Sequence, residues 1–345
     1  MRTLYKQFLD GEISRRDFLQ ELAALGVSAS AASSILPGAV AAAETEGDST
    51  QRSRMVTGNG SDLLAESLID ADVEYIFHGC GGGINRFFDS FVTRPALKNL
   101  LATNEGQCVA MAEGYHLASG GKLGVVLIPR PGLPNAAGNI LNAMAHRSSI
   151  LLLTARESNV FSNRRGNIEI VEWAEVMDPF MKWNYKMEHI ERVPEFTRRA
   201  IKVSNAPLGG PTFLGMAEDL YEQETTAKIY PQDLYAVEGR IEPEAEAVDI
   251  VAGKILQAKK PLIVAGLEVS KSKANQALID LVEMLAIPVT QGLSLFADFP
   301  NQHPLALGLY SRYLGYTRGV DLLVVIGAQM PDEGHYIVTG PPPEG

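Results

Sequence analysis

The feature that most constrains this 345-residue chain is an alternation of short apolar runs with helix-period segments between residues 56 and about 220. The runs 74–78, 100–103, 125–129, 150–154 and 211–215 read as strands, and 61–71, 105–119, 134–147 and 194–205 read as helices. Leu64, Leu68 and Ala71 fall near helical period in the first helix, with Ser61 as its expected N-cap, and Pro134 suits the first turn of the third. Strand–helix–strand at this spacing demands right-handed crossovers and hence a parallel sheet covered by helices on both faces. In such sheets ligands sit outside the carboxyl ends of the strands. The loops 78–83, 104–105, 130–135 and 155–166 are therefore where function is expected.

A different signal precedes this pattern. Arg15-Arg16-Asp17-Phe18-Leu19 leads into an uncharged stretch, 22–43, rich in Ala and Ser, which closes on Ala41-Ala42-Ala43 before Glu44. A charged start, an apolar middle and small residues at the end make up an export signal. The paired arginines followed by Phe-Leu resemble the twin-arginine motif, which implies export of a folded protein to the periplasm or beyond, and hints at a cofactor loaded beforehand. Pro37, Gly38 and the serines make the stretch a poor lipid-facing helix, so no permanent membrane span is expected after cleavage. Residues 44–55 read as a flexible leader. The 41 acidic against 30 basic residues leave a formal charge of −11, which argues against a nucleic-acid partner. Two cysteines are too few for a disulfide scaffold or a multi-thiolate zinc site, and no metal site is expected on this chain.

Three of the loops carry motifs. The first is Tyr75-Ile76-Phe77-His78-Gly79-Cys80-Gly81, with Phe87-Phe88-Asp89 after it. The second is Ala102-Thr103-Asn104-Glu105, with Ala112-Glu113-Gly114-Tyr115 after it, and the third is Pro131-Gly132-Leu133-Pro134-Asn135. In this order and spacing they resemble the pyrimidine-binding domain of thiamine diphosphate enzymes of the acetolactate synthase and 2-oxoacid decarboxylase group. That family usually has Phe-Gly-x-Pro-Gly, then His-Glu and Ala-Asp-Gly-Tyr, then Gly-Pro-Gly-x-Thr-Asn. Here His78 and Cys80 replace a glycine and a proline, and Asn104 stands where the histidine would be. The resemblance continues through Phe180-Met181-Lys182-Trp183 and Gly210-Pro211-Thr212.

The resemblance implies that Glu105 is the catalytic residue and hydrogen-bonds a ring nitrogen of the cofactor's aminopyrimidine. A carboxyl group buried in an apolar cleft has a raised pKa and can share a proton with that ring. Gly79, Cys80, Gly81 and Asn135 join it as expected cofactor contacts. Gly79 and Gly81 can equally form a tight turn, and Asn135 can equally tie its own loop. His78, at the cleft, can titrate near neutral pH, whereas His116 and His146 read as packing or surface residues. Cys80 and Cys108 read as two free or buried thiols, although an oxidising compartment would let them pair. Arg156 stands where the family often has Gln. Arg164-Arg165 read as a solvated loop, with an anion contact as the alternative.

Residues 222–243 read as a linker. A second α/β pattern follows over 244–345: helix 245–258, strand 261–266, helix 275–285, strand 287–290, the segment Phe299-Pro300-Asn301-Gln302-His303-Pro304, and a strand in 321–327. It resembles the central, Rossmann-like domain of the same family, which in some members carries FAD. The expected fold class is thus α/β, with two doubly wound parallel-sheet domains over 56–221 and 244–345. The family's third domain, which holds the diphosphate through Mg²⁺ with a Gly-Asp-Gly run, has no counterpart here. The chain reads as a truncated or incomplete version, inactive alone. The implied chemistry is decarboxylation or carboligation of a small 2-oxoacid in a homodimer or tetramer. The alternative is a non-catalytic binding or regulatory subunit that keeps the fold. A nicotinamide-dependent dehydrogenase is disfavoured because no strand–Gly-x-Gly-x-x-Gly–helix unit is present.

Overall fold

The structure is a computed structural model that describes residues 52–162, 164, 173–236, 242–292, 294–311, 313 and 315–328, with six isolated positions before residue 25. Apart from those six positions, the stretch read as an export signal lies outside the described residues, as do most of the expected leader, Arg165 and the last residues.

The first unit is a six-stranded sheet, β2 (Tyr75–His78), β3 (Lys98–Leu101), β4 (Gly124–Leu127), β5 (Ile150–Arg156), β6 (Trp183–Met187) and β7 (Thr212–Ala217), in the order β3-β2-β4-β5-β7-β6. Every pairing is parallel. Central strands β4, β5 and β7 are buried along their whole length, as a parallel sheet covered on both faces requires. Alternation sorts their side chains. Val125 and Leu127 join one core with Leu64, Leu68, Phe87, Phe196 and Ile201. Val126 and Ile128 join the other with Cys108, Val109, Leu133 and Ile140. The helices covering the first face are α1 (Gly60–Ile69), α2 (Asn85–Val92) and α6 (Val193–Asn205); α3 (Glu105–Ala118), α4 (Gly132–Ala145) and α5 (Trp173–Met177) lie with the second.

Several expectations need correcting. Helix α1 is capped by Asn59, not Ser61. Asn59 accepts from the Asp62 amide at 3.0 Å and Asp62 accepts from the Asn59 amide at 3.3 Å, a reciprocal capping box. Ser61 is instead fully buried at the second helical position. The stretch expected to be a linker contains strand β8 (Glu224–Ile229), which pairs antiparallel with β1 (Arg54–Asn59), from Arg54 opposite Ile229 to Asn59 opposite Glu224. Its polar sequence, Glu-Thr-Thr-Ala-Lys-Ile, suits a two-stranded ribbon with one wet face.

The second unit holds α7 (Ala245–Gln257), β9 (Pro261–Ala265), α8 (Leu267–Lys271), α9 (Asn275–Leu285), β10 (Val289–Gln291), β11 (Ala306–Leu309) and β12 (Leu322–Ile326). Its sheet is parallel, in the order β11-β10-β9-β12. His303 is structural. Its Nδ1 accepts the Leu305 amide at 3.2 Å, which leaves Nε2 to donate to Glu283 at 3.2 Å. The two units touch where Arg147, at φ +55, pairs with Glu268 at 2.5 Å, while the Lys271 ammonium donates to the Arg147 carbonyl.

Candidate functional site

Strand order fixes where a crevice opens. From β2 the chain moves outward to β3, then returns across β2 to β4, so the direction reverses between β2 and β4. That reversal is the topological switch point, where crossover helices diverge and leave a cleft at the strands' carboxyl ends. The three motif loops follow β2, β3 and β4 and therefore meet there. The Gly79 amide donates to the Leu127 carbonyl at 3.1 Å, and the Ala102 amide to the His78 carbonyl at 2.9 Å, which ties the three strand ends together.

Glu105 is the first residue of α3. Asn104 precedes it with extended backbone and accepts the Gly106 amide at 2.9 Å, which is why the helix starts there. The Glu105 side chain lies over the turn that begins α4. A Cβ at Gly132 would fall 2.9 Å from its Cδ and 3.1 Å from its Oε1, so only glycine fits beneath it. A Cβ at Gly79 would fall 3.5 Å from the Glu105 Cγ and 3.4 Å from Pro129. The Asn135 amide donates to Glu105 Oε2 at 3.3 Å. Glu105, Gly79 and Asn135 thus come together as the sequence implies. One correction concerns burial. Glu105 is only partly buried, because it sits at the rim where three loops end rather than beneath them.

The remaining candidates separate. Gly81 packs on Pro129, whose Cβ would lie 2.6 Å from a Cβ placed there, so its glycine is required by the loop itself. Cys80 is exposed and Cys108 buried, and both are free thiols. Burial, assisted by the Glu105 charge, pushes the Cys108 thiol up to about 11. His78 lays its ring 4.7 Å from that of Phe88, with Nδ1 3.0 Å from the Gly79 carbonyl. His116 is a core histidine. Nδ1 donates to the Lys122 carbonyl at 2.9 Å, Nε2 faces the Ser149 amide at 3.5 Å, and burial holds its pKa below the usual value. His146 pairs with Glu113 at 2.9 Å, which also accepts from Ser148. The Arg164 guanidinium stacks on Phe161 at 5.4 Å.

Sequence reasoning passed over Arg130, which lies between the two glycine-lined contacts. It donates to Glu157 at 2.6 Å and to Glu218 at 2.9 Å, joining the loops after β4, β5 and β7. The only sequence signal is that the family's glycine before Pro-Gly is an arginine here. Asn139 was also missed. It lies one turn beyond Asn135 and donates to the Gly106 carbonyl at 2.8 Å, pinning α3 to α4. Arg156 is buried; it bonds Asn159 and the Met187 carbonyl, with Glu188 at 3.6 Å. Among the described residues no group of three or more His, Cys, Asp or Glu side chains is placed to hold a metal ion, and no helix is long and apolar enough to cross a membrane.

Comparison with known proteins bears on the two units. Residues 58–171 match the thiamine pyrophosphate enzyme N-terminal TPP binding domain, and residues 248–344 match the thiamine pyrophosphate enzyme central domain. The probable acetolactate synthase large subunit of Methanocaldococcus jannaschii is 27% identical over 282 residues, covering 79% of this chain and 47% of that protein. Benzoylformate decarboxylase of Pseudomonas aeruginosa is 26% identical over 237 residues, covering 66% and 44%. An X-ray structure assigned to a thiamin diphosphate-dependent enzyme of Mycobacterium smegmatis superposes with a TM-score of 0.70 at 26% identity, covering 79% of this chain and 53% of that one. The chain spans about half the length of the curated relatives it matches. With two parallel-sheet units that match consecutive domains of one group of enzymes, the chain belongs to the thiamine pyrophosphate enzyme family.

Proposed function

We propose that this chain supplies the pyrimidine-binding half of a thiamine diphosphate site in an enzyme that decarboxylates or carboligates a small 2-oxoacid. The observation that carries the reading is Glu105 at the switch point, resting on Gly132 and hydrogen-bonded by Asn135. The donor set fits an aminopyrimidine. Asn135 donates to Oε2, while Oε1 takes no hydrogen bond from the described residues and keeps its capacity to accept one from a ring nitrogen. Glu105 then holds or gives up a proton at that nitrogen, while Asn135 fixes the plane of the carboxylate. Gly132 leaves room for the Glu105 side chain itself, and Gly79 borders the same side chain, so the carboxylate can lie at the meeting of the loops because neither glycine carries a side chain. Cys80, exposed on the same loop, offers its thiol at the rim. When bound, thiamine diphosphate supplies the electron sink for breaking the bond to the 2-oxoacid carboxylate.

The described residues do not fit the diphosphate end. A hard cation takes several oxygen ligands, whereas Glu105 is flanked by an amide and glycines. We assign Mg²⁺ and the diphosphate to another part of the assembly, and place the pyrimidine edge at a contact between subunits of a dimer or tetramer. FAD is proposed only as an option for the second unit. Its switch point, between β9 and β12, is closely packed: a Cβ at Gly266 would fall 2.5 Å from the Ala328 Cβ. On the sequence of residues 14–43 we also propose export by the twin-arginine route.

Thiamine, which carries the pyrimidine without the diphosphate, tests the reading. In an NMR titration to millimolar concentration, the amides of Gly79, Gly106 and Gly132 are expected to shift, and Glu105→Gln to weaken the response tenfold or more. Equal binding by both proteins, or none by the wild type, would overturn the reading and favour a non-catalytic subunit.

A further inference from the structure

We infer that Arg130 is a positioning residue for Glu105, acting through the turn between them; as a statement about cofactor binding, this rests on the reading above. The turn runs from Pro129 to Gly132 and is closed by the Gly132 amide on the Pro129 carbonyl at 2.9 Å and the Leu133 amide on the Arg130 carbonyl at 3.2 Å. Its two ends are the surfaces that shape the site. Pro129 packs on Gly79 and Gly81, and Gly132 lies beneath the Glu105 side chain. Arg130 stands between them with its side chain pointing away, 14% exposed, and its guanidinium bridges Glu157 at 2.6 Å and Glu218 at 2.9 Å.

Those carboxylates bring in the other loops at the same end of the sheet. Glu157 follows β5 and Glu218 follows β7. Glu218 also lies against the loop after β2, where Gly83 sits at φ +86 and a Cβ would fall 2.6 Å from Glu218 Oε1. One guanidinium thereby references the turn under Glu105 to the ends of β5 and β7 and to the β2 loop. A planar fork serves two carboxylates in fixed directions at once, whereas an ammonium, with three rotating donors on a flexible stem, can pair with both but does not fix their directions. The guanidinium is 14% exposed and the Glu157 and Glu218 side chains 20% and 33%, so the pairs are partly shielded from solvent, and loss of the arginine leaves two half-buried carboxylates side by side without their shared cation. The two glutamates make the clamp redundant. Losing either leaves Arg130 held by the other, while losing both, or the arginine, frees the turn.

The test uses the whole chain, with thiamine as the probe. In Arg130→Gln, native-state hydrogen exchange at Gly132 and Leu133 is expected to accelerate at least about tenfold, with Ala200 and Ile201 in α6 unchanged. Thiamine affinity is expected to fall about tenfold while Tm falls by only a few degrees. Glu157→Gln and Glu218→Gln alone should each do little, and the double substitution should match Arg130→Gln. Arg130→Lys should restore Tm but not thiamine affinity. Unchanged exchange at Gly132 and Leu133 in Arg130→Gln overturns the inference, as does a loss of affinity that simply follows Tm through all the variants. Should wild type fail to bind thiamine while the exchange pattern appears as stated, the clamp on the turn stands and the cofactor reading falls.

Discussion

Replacing Gly132 with alanine makes a sharp test, because α4 contains its own control. Both Gly132 and Gly138 lie in this helix, Gly132 as its first residue. Nothing lies within 4 Å of a Cβ at Gly138, whereas one at Gly132 would meet the Glu105 Cδ at 2.9 Å and its Cγ closer still. At the exposed interior position alanine should gain about 0.8–1 kcal/mol from helix propensity. For a domain of this size that raises Tm by roughly 2–4 °C. At Gly132 propensity counts for little at the helix start, and the added methyl group overpacks a filled site, which costs roughly 1–3 kcal/mol. The contact is with the base of the Glu105 side chain, so it can be relieved only by turning Glu105 away. Gly132→Ala should therefore lower Tm by a few degrees, or spare Tm by moving Glu105, and in both cases weaken thiamine binding tenfold or more. Thermal denaturation by circular dichroism and the NMR titration read the two effects. A Gly132→Ala protein with the gain of Gly138→Ala and undiminished thiamine binding would refute the close packing of Glu105 on this turn.

Other outcomes follow from the same structure. His116 is held neutral, with its folded pKa below the unfolded value, so the unfolded chain binds more protons in acid. Its contribution is complete above about pH 6.5, the unfolded value, and is lost as pH falls below it; urea denaturation at pH 8 and pH 5 should show the loss, and His116→Ala should flatten it. A thiol reagent should label Cys80 quickly in the native protein and Cys108 only on unfolding, since burial disfavours the Cys108 thiolate; mass spectrometry after brief labelling reports the site. Leu64→Ala, emptying a position 1% exposed in the larger core, should cost about 2–5 kcal/mol by denaturant titration. From the sequence alone, the proposed twin-arginine route makes Arg15→Lys with Arg16→Lys abolish export, and export unchanged in cell fractionation would overturn that proposal.

What the sequence disclosed depended on how local its physics is. Strands β4, β5 and β7 were legible because burial on both faces makes them continuous apolar runs, and α4 because Pro134 in its first turn marks a helix start. Ser61 was misread as a cap because any serine before a helix looks like one; Asn59 and Asp62 had to satisfy each other's amides for the true boundary to show. Strands β1, β6 and β8 were missed because they are edge or ribbon strands whose polar residues resemble loops. Glu105 was legible from its motif, while the partners that hold it were less so. Arg130 reaches Glu157 and Glu218, 27 and 88 residues away, and no short-range pattern announces such a meeting.

The small ribbon of β1 and β8 has a mechanical consequence. Arg54, the first residue of one strand, faces Ile229, the last of the other, so the chain enters and leaves the larger unit at one corner. Ladder bonds in an antiparallel pair run perpendicular to the strands. Tension on the two flanking segments therefore unzips the ribbon one pair at a time, from Arg54–Ile229 towards Asn59–Glu224, instead of loading all its bonds together in shear. Stretching this chain should thus begin at a weak seam outside the six-stranded sheet, and the sheet should bear load only after that seam has opened.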